Sequence, residues 1–184
     1  MNKKEIKKIG KGIVRKKAVF LDRDGTINFD KGYTYKFSDF KFRPNIIKGL
    51  KYLSKKKYLI FIVTNQAGIA KGKFKIKDLV KLHNRLLKYL LRENIKVNQI
   101  EYCPYHPNGK IKLYKKKSAY RKPGNKMIKK ILKKWPVKLK ESFMIGDKKS
   151  DMEAANKSKL YFEYVNNNFY NQIKKIEKKI INNY

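Results

Sequence analysis

The sequence predicts an α/β protein built on a doubly wound, mostly parallel sheet of the Rossmann-like kind. Three observations predict it. Short runs of β-branched and aromatic residues alternate along the chain with amphipathic helical segments. The residues richest in chemistry stand just after those runs, where open parallel sheets place their ligands. No interval between the runs has room for a sizeable cap domain, so one domain spans residues 1–184.

The first strand is expected over Lys16–Asp22, "KKAVFLD", where an apolar run stops sharply at a carboxylate. "GTINFDKGYTYKFSDFKF" (Gly25–Phe42) lacks helical period and is rich in turn residues, so it reads as a substrate-facing loop. Pro44–Lys57 opens with proline and sets Ile46, Ile47, Leu50 and Leu53 on one face, a helix. Tyr58–Asn65 reads as a second buried strand, Lys75–Asn94 as a long helix and Asn98–Cys103 as a third strand. A basic loop, Pro104–Pro123, leads to a helix over Gly124–Pro136. Ser142–Asp147, Lys149–Ser158 and Leu160–Val165 follow as strand, short helix and strand. The tail, "NFYNQIKKIEKKIINN", is expected as a last helix, frayed or lying on the surface.

The chain has 184 residues, of which 41% are hydrophobic, enough for a core without staples. No apolar run approaches the roughly 18 residues of a membrane helix. The first 15 residues form a basic extension, expected to be flexible, without the apolar centre of a secretory signal. The single cysteine, Cys103, excludes an internal disulfide, and together these features favour the cytoplasm. The net charge of +35 has two readings. It could serve nucleic-acid binding. It could instead be compositional drift, because the basic residues are nearly all lysine, scattered, and accompanied by abundant Asn, Ile, Tyr and Phe. A reader of nucleic acid usually carries more arginine, whose planar fork grips phosphate and guanine. Drift is the better reading, and nucleic acid the less favoured partner.

The strand ends carry the chemistry. The first ends in Asp22 and Asp24, the second in Thr64 and Asn65, and the fourth in Gly146 and Asp147, with Lys148 and Asp151 close behind. Lys122 arrives from the basic loop on the same side. Clustered carboxylates make a hard, oxygen-rich pocket that suits Mg²⁺. Without a cation they would repel one another and one would take up a proton. Thr64 and Lys122 would then grip the oxygens of a phosphoryl group. A lone D-x-D is most often a turn or a helix cap; the set at several strand ends is what points to chemistry.

In chain order, "DRDGT", "VTNQAGIAKG", "RKP" and "GDKKSD" resemble the four motifs of the haloacid dehalogenase (HAD) superfamily of phosphatases. The "DRDGTIN" and "TNQAGIAKGKF" spellings are similar to the subgroup that holds the heptose bisphosphate and histidinol-phosphate phosphatases, and "DKGY" with the long stretch from "CPYHP" to "RKP" is closer to the heptose enzymes. The resemblance implies a Mg²⁺-dependent phosphomonoesterase acting on a small-molecule sugar bisphosphate, and a monomer. It implies that Asp22 attacks phosphorus and that Asp24 donates and then accepts the proton. It implies that Asp22, the Asp24 carbonyl and Asp147 hold Mg²⁺, with Lys148 nearby. Thr64 and Lys122 would hold the phosphoryl oxygens, with Asn65 and Gln66 adjoining. Arg121 and the Asp30, Lys31, Gly32 and Tyr33 loop would contact the rest of the substrate.

The pattern breaks in the basic loop. Relatives often hold a structural zinc there through Cys-x-His and Cys-x-Cys. Here Cys103 stands first, Tyr105 replaces the histidine, His106 comes one residue late, and Ser118 and Tyr120 occupy the last two positions. One thiolate and one displaced imidazole cannot close a tetrahedral site, so zinc is predicted absent. Packing of Tyr105, Tyr114 and Tyr120 is expected to order the loop instead. His83 reads as a surface or packing residue of the long helix. The competing readings are a histidinol-phosphate phosphatase, a polynucleotide 3′-phosphatase, for which the charge would be functional, and a non-catalytic nucleic-acid binder on the same fold.

Overall fold

A computed structural model of the protein describes residues 14–182, with side chains to residue 180. The elements are β1 (Ala18–Leu21), α1 (Ile46–Lys55), β2 (Leu59–Asn65), α2 (Ala67–Ala70), α3 (Ile76–Arg92), β3 (Val97–Cys103), α4 (Lys126–Lys134), β4 (Phe143–Gly146), α5 (Lys149–Asn156), β5 (Tyr161–Tyr164) and α6 (Phe169–Asn182). The basic extension expected over residues 1–15 lies, as far as residue 13, outside the described residues.

The five strands form one parallel sheet in the order β3-β2-β1-β4-β5. β1 is central and wholly buried, with Phe20 in register between Phe61 and Met144. Alternation of side chains along the strands divides the core in two. Val19, Leu21, Ile60, Ile62 and Ile145 face α1, α3 and α6; Ala18, Phe20, Phe61, Val63 and Met144 face α4 and α5. Because the strand order reverses direction at β1, the crevice beyond its C-terminal end is where a ligand site belongs.

Most strands end a residue or two inside their expected bounds. At β1, Lys16 makes only an isolated bridge to Val137, and Asp22 already enters the turn, its N–H donating to the Ile145 carbonyl at 3.1 Å. The short helix α2, which has no amphipathic period to announce it, fills the turn after β2. The larger difference is the tail. Rather than fraying, α6 packs against α1 and buries Phe169, Ile173, Ile176 and Ile180. Their spacing of four, three and four residues is a helical stripe, diluted in sequence by the lysines and asparagines between. Gly49 of α1 makes room for it: a Cβ there would lie 2.5 Å from the Phe169 ring. Tyr52 donates to Glu177 at 2.5 Å across the same seam.

The loop after β1 is anchored through its aromatic residues. Tyr35 stacks on Phe74, and Phe37 and Phe42 pack against Tyr89 of α3. No helix among the described residues is long and apolar enough to cross a membrane.

Candidate active site

The C-terminal ends of β1 and β4 bring Asp22, Asp147 and Asp151 together, with one carboxylate oxygen from each inside a 4.8 Å cluster. Asp22 and Asp151 are almost fully buried. Between them sits the Lys122 ammonium, 2.6 Å from Asp22 Oδ1, 2.6 Å from Asp151 Oδ1 and 2.8 Å from the Val63 carbonyl. All three ammonium protons thus have acceptors. Burial alone would discharge Lys122, but the two carboxylates outweigh it and raise its pKa. Asp22 is pushed up to about 7, first by burial and then by Asp151 and Asp24, against the opposing pull of Lys122. Burial, reinforced by Asp151, also raises Asp147, against Lys148.

These shifts share a cause. Three carboxylates face one buried ammonium and, at 3.8 Å from Asp147, the more exposed Lys148, so negative charge is left in excess in a low-dielectric pocket. Asp147 Oδ1 is buried and receives no hydrogen bond. An oxygen-only donor set with an orphaned carboxylate oxygen and an excess of negative charge fits a hard divalent cation. Asp151, which the sequence reading left without a role, completes the carboxylate set; its Oδ2 accepts the N–H groups of Asp147 and Lys148 at 3.2 and 3.0 Å. The Asp24 carboxylate stands outside this set. Gly25 makes the close approach possible: at φ +89° it favours glycine, and a Cβ would fall 2.2 Å from Asp147 Oδ2.

Two residues on, Asp24 has different surroundings. Arg23 donates to both of its oxygens, Nη2 to Oδ2 at 2.7 Å and to Oδ1 at 2.9 Å. Asn28 adds a bond to Oδ1 at 3.0 Å, and Gln66 one to Oδ2 at 2.8 Å. Gln66 also reaches Thr64 Oγ1 at 2.9 Å, tying the first strand end to the second. Of the two places expected for it, surface or packing, His83 takes the packing one. It is buried, with its ring edge-on to Tyr102, and its Nε2 lies 3.0 Å from Arg23 Nη1. Burial, then the Arg23 charge, drives its pKa down to about 3, so the ring is neutral.

The basic loop is held to the strand ends by main-chain bonds. Asn65 pairs reciprocally with Lys122, Nδ2 donating to its carbonyl and Oδ1 accepting its N–H, each at 3.0 Å. Its amide is therefore spent on placing Lys122. The N–H groups of Lys110 and Ile111 donate to the Ala70 carbonyl at 2.7 and 2.9 Å. Tyr105 and Tyr114 pair at 6.3 Å with Lys116 over the Tyr105 ring, whereas Tyr120 is about a third exposed. Arg121 is half-buried and its Nη1 has no hydrogen-bond partner.

A cleft of about 590 Å³ lies over the carboxylates. Asp30, Gly32 and Tyr33 form one wall, and Arg121 and Lys122 another. Asp30 pairs with Lys148 at 3.2 Å across it, and Lys148 lies 3.8 Å from Asp147. Lys31 is exposed and does not line the cleft. Asp151, Arg23 and His83 are the residues that sequence reasoning left without a function here. The second aspartate of "GDKKSD" and the arginine between two aspartates were visible signals; His83 had none.

Residues 17–180 match the family model described as polynucleotide kinase 3 phosphatase. The chain belongs to this family. Among curated relatives, it is 38% identical to the D-glycero-beta-D-manno-heptose-1,7-bisphosphate 7-phosphatase of Rhodopseudomonas palustris, over 77% of this chain and 78% of that protein. It is 41% identical to the D-glycero-alpha-D-manno-heptose-1,7-bisphosphate 7-phosphatase of Campylobacter jejuni, over 77% of each. Among solved structures, it resembles D,D-heptose 1,7-bisphosphate phosphatase from B. bronchiseptica, complexed with magnesium and phosphate, at a TM-score of 0.72 and 25% identity over 86% of each chain. Within the polynucleotide kinase 3 phosphatase family, the likeness to these heptose enzymes thus covers about three quarters or more of the chain.

Proposed function

We propose that this chain is a Mg²⁺-dependent phosphomonoester hydrolase that removes the 7-phosphate of a D-glycero-D-manno-heptose 1,7-bisphosphate. The observation that carries the reading is the gathering of Asp22, Asp147 and Asp151 around Lys122 at the end of β1. The names of the relatives support the choice of substrate. Since those names include both anomers, the reading covers the heptose and leaves its C1 configuration open.

In this reading Asp22 is the nucleophile. One of its oxygens attacks phosphorus, the bond from phosphorus to the sugar oxygen breaks, and that oxygen takes a proton from Asp24. Water then attacks the aspartyl-phosphate, gives its proton to Asp24, and inorganic phosphate leaves with Asp22 restored. A carboxylate nucleophile divides one slow hydrolysis into two displacements. Mg²⁺, held by Asp22, Asp147 and the Asp24 carbonyl, would supply positive charge against the phosphoryl oxygens. Asp151 fixes the Asp147–Lys148 backbone. Lys122 draws the Asp22 pKa down against its burial and, by exchanging a carboxylate for a phosphoryl oxygen, holds the transferring group with Thr64. Arg121, with its unpaired Nη1, and the Asp30–Tyr33 loop would contact the rest of the sugar phosphate.

Zinc has no place in this reading. Cys103 is buried against the Tyr105 carbonyl, His106 Nδ1 accepts the Asn108 N–H at 3.1 Å, and Ser118 and Tyr120 stand where thiolates would be needed. We read the protein as a cytoplasmic monomer. The second reading, a polynucleotide 3′-phosphatase, is favoured by the description of the family model and by the net charge.

Phosphate release from heptose bisphosphate, histidinol phosphate and a 3′-phosphorylated oligonucleotide, with and without Mg²⁺, separates these readings. Fast, Mg²⁺-dependent release from the heptose is expected. Fast release only from the oligonucleotide would overturn it.

A further inference from the structure

We propose that Arg23, braced by His83, is the positioning residue that fixes the Asp24 carboxylate for proton transfer, and that it ties this carboxylate to the substrate-facing loop. The inference rests on the reading of Asp24 as proton donor and acceptor.

Arg23 has the largest fully buried side chain among the described residues. A buried guanidinium is costly unless its donors all find acceptors. Here they reach three separate parts of the fold. Nε and Nη2 bond the Asp24 carboxylate, with Nε 3.1 Å from Oδ1. Nη2 also donates to the Thr34 carbonyl at 2.8 Å, one residue past Tyr33 of the substrate-facing loop. Nη1 meets His83 Nε2 on α3 at 3.0 Å. Guanidinium has no acceptor, so Nη1 donates and His83 Nε2 is the unprotonated nitrogen.

A side chain that only filled space could be apolar, and one that only neutralised Asp24 would have no need of a neutral acceptor on α3. The His83 bond orients the guanidinium plane, and that plane orients the carboxylate. Asn28 and Gln66 hold its remaining positions, and about 16% of the Asp24 side chain stays exposed at the cleft. Turning the carboxylate would break bonds to three side chains. Catalytic groups must be held within about 10–20° of productive geometry, and this clamp provides that for Asp24.

The test compares two leaving groups. An alkyl phosphate needs its leaving oxygen protonated; 4-nitrophenyl phosphate leaves as a stable phenolate and does not. His83→Leu and Arg23→Lys are expected to slow the first displacement on heptose bisphosphate, read as alcohol released in a single turnover, by roughly tenfold or more beyond any loss in single-turnover nitrophenolate release from 4-nitrophenyl phosphate, a share of the 10²–10⁴ that general acid–base catalysis provides. KM should change little. His83→Gln, whose Oε1 can accept from Nη1, should restore most of the loss. Equal losses on both substrates, or none, in protein that keeps its far-ultraviolet dichroism would overturn the proposal. If His83→Leu does not fold, Arg23→Lys and His83→Gln decide it alone. Asp24→Asn is the control: if it too spares neither substrate or affects neither, the proton-transfer role of Asp24 is what fails, and a wild-type chain inactive on both substrates would overturn the hydrolase reading itself.

Discussion

The two walls of the cleft are held by different physics. On one side, the turns after β1 and β4 bury carboxylates around a single ammonium, with Asp147 Oδ1 left without a hydrogen bond. On the other, the stretch before α4 is a lysine-rich surface loop, fastened by main-chain bonds to Ala70 and Asn65 and by one pair of tyrosines. Lys122 belongs to both, since it arrives on the loop and ends inside the cluster. The contrast teaches where sensitivity should lie. Buried charge in low dielectric leaves no room for an unpaired partner, whereas a solvated loop spreads its support over many weak contacts.

The sharpest way to break this comparison is Asp22→Asn, which should lower turnover by roughly 10⁴-fold or more while the fold persists; a phosphate-release assay on protein of unchanged dichroism checks it. Next comes Lys122→Met. Removing the ammonium leaves Asp22 and Asp151 facing each other, and urea unfolding should show a loss of about 3–5 kcal/mol. A loss no larger than that of a surface lysine would erase the distinction between the walls.

Third, Mg²⁺ should stabilise the folded chain by about 2.7 kcal/mol at a hundred times its Kd, and Asp147→Asn should remove much of that gain in thermal melts. Fourth, His83 gives a signed pH effect. The unfolded imidazole takes a proton near pH 6.5, but the folded one only near pH 3. Between those values the unfolded state binds the extra proton, so the contribution of His83 to stability falls as pH falls, by about 1.4 kcal/mol per unit. The raised Asp22 carboxyl contributes the opposite slope, and because His83→Gln retains Asp22, the difference between the two proteins isolates the histidine. The smallest effect is expected on the loop. Tyr105→Ala should cost about 1 kcal/mol or less and raise KM more than it lowers kcat, as read by steady-state kinetics.

The same contrast explains what the sequence made legible. The sheet was readable because β1 and β2 are apolar on both faces and end abruptly in polar residues. Asp22, Thr64 and Asp147 stand one residue from those ends or within them, so parallel topology alone brings them to one edge. Other features depend on tertiary packing that leaves no local mark. The α6 stripe was hidden by intervening lysines and asparagines, and only its fit over Gly49 makes it part of the core. The Asn65 amide looked free for a ligand, yet it is taken by the backbone of a residue 57 positions away. His83 looked like any polar residue on a helix face, because its partner Arg23 lies 60 positions upstream.

The central claim is that Asp22 accepts the phosphoryl group. The direct measurement is mass spectrometry of protein quenched in acid during turnover with Mg²⁺. The account predicts a phosphoryl group on the peptide that carries Asp22, absent from Asp22→Asn. Rapid phosphate release with no phosphorylated protein at any quench time would contradict it.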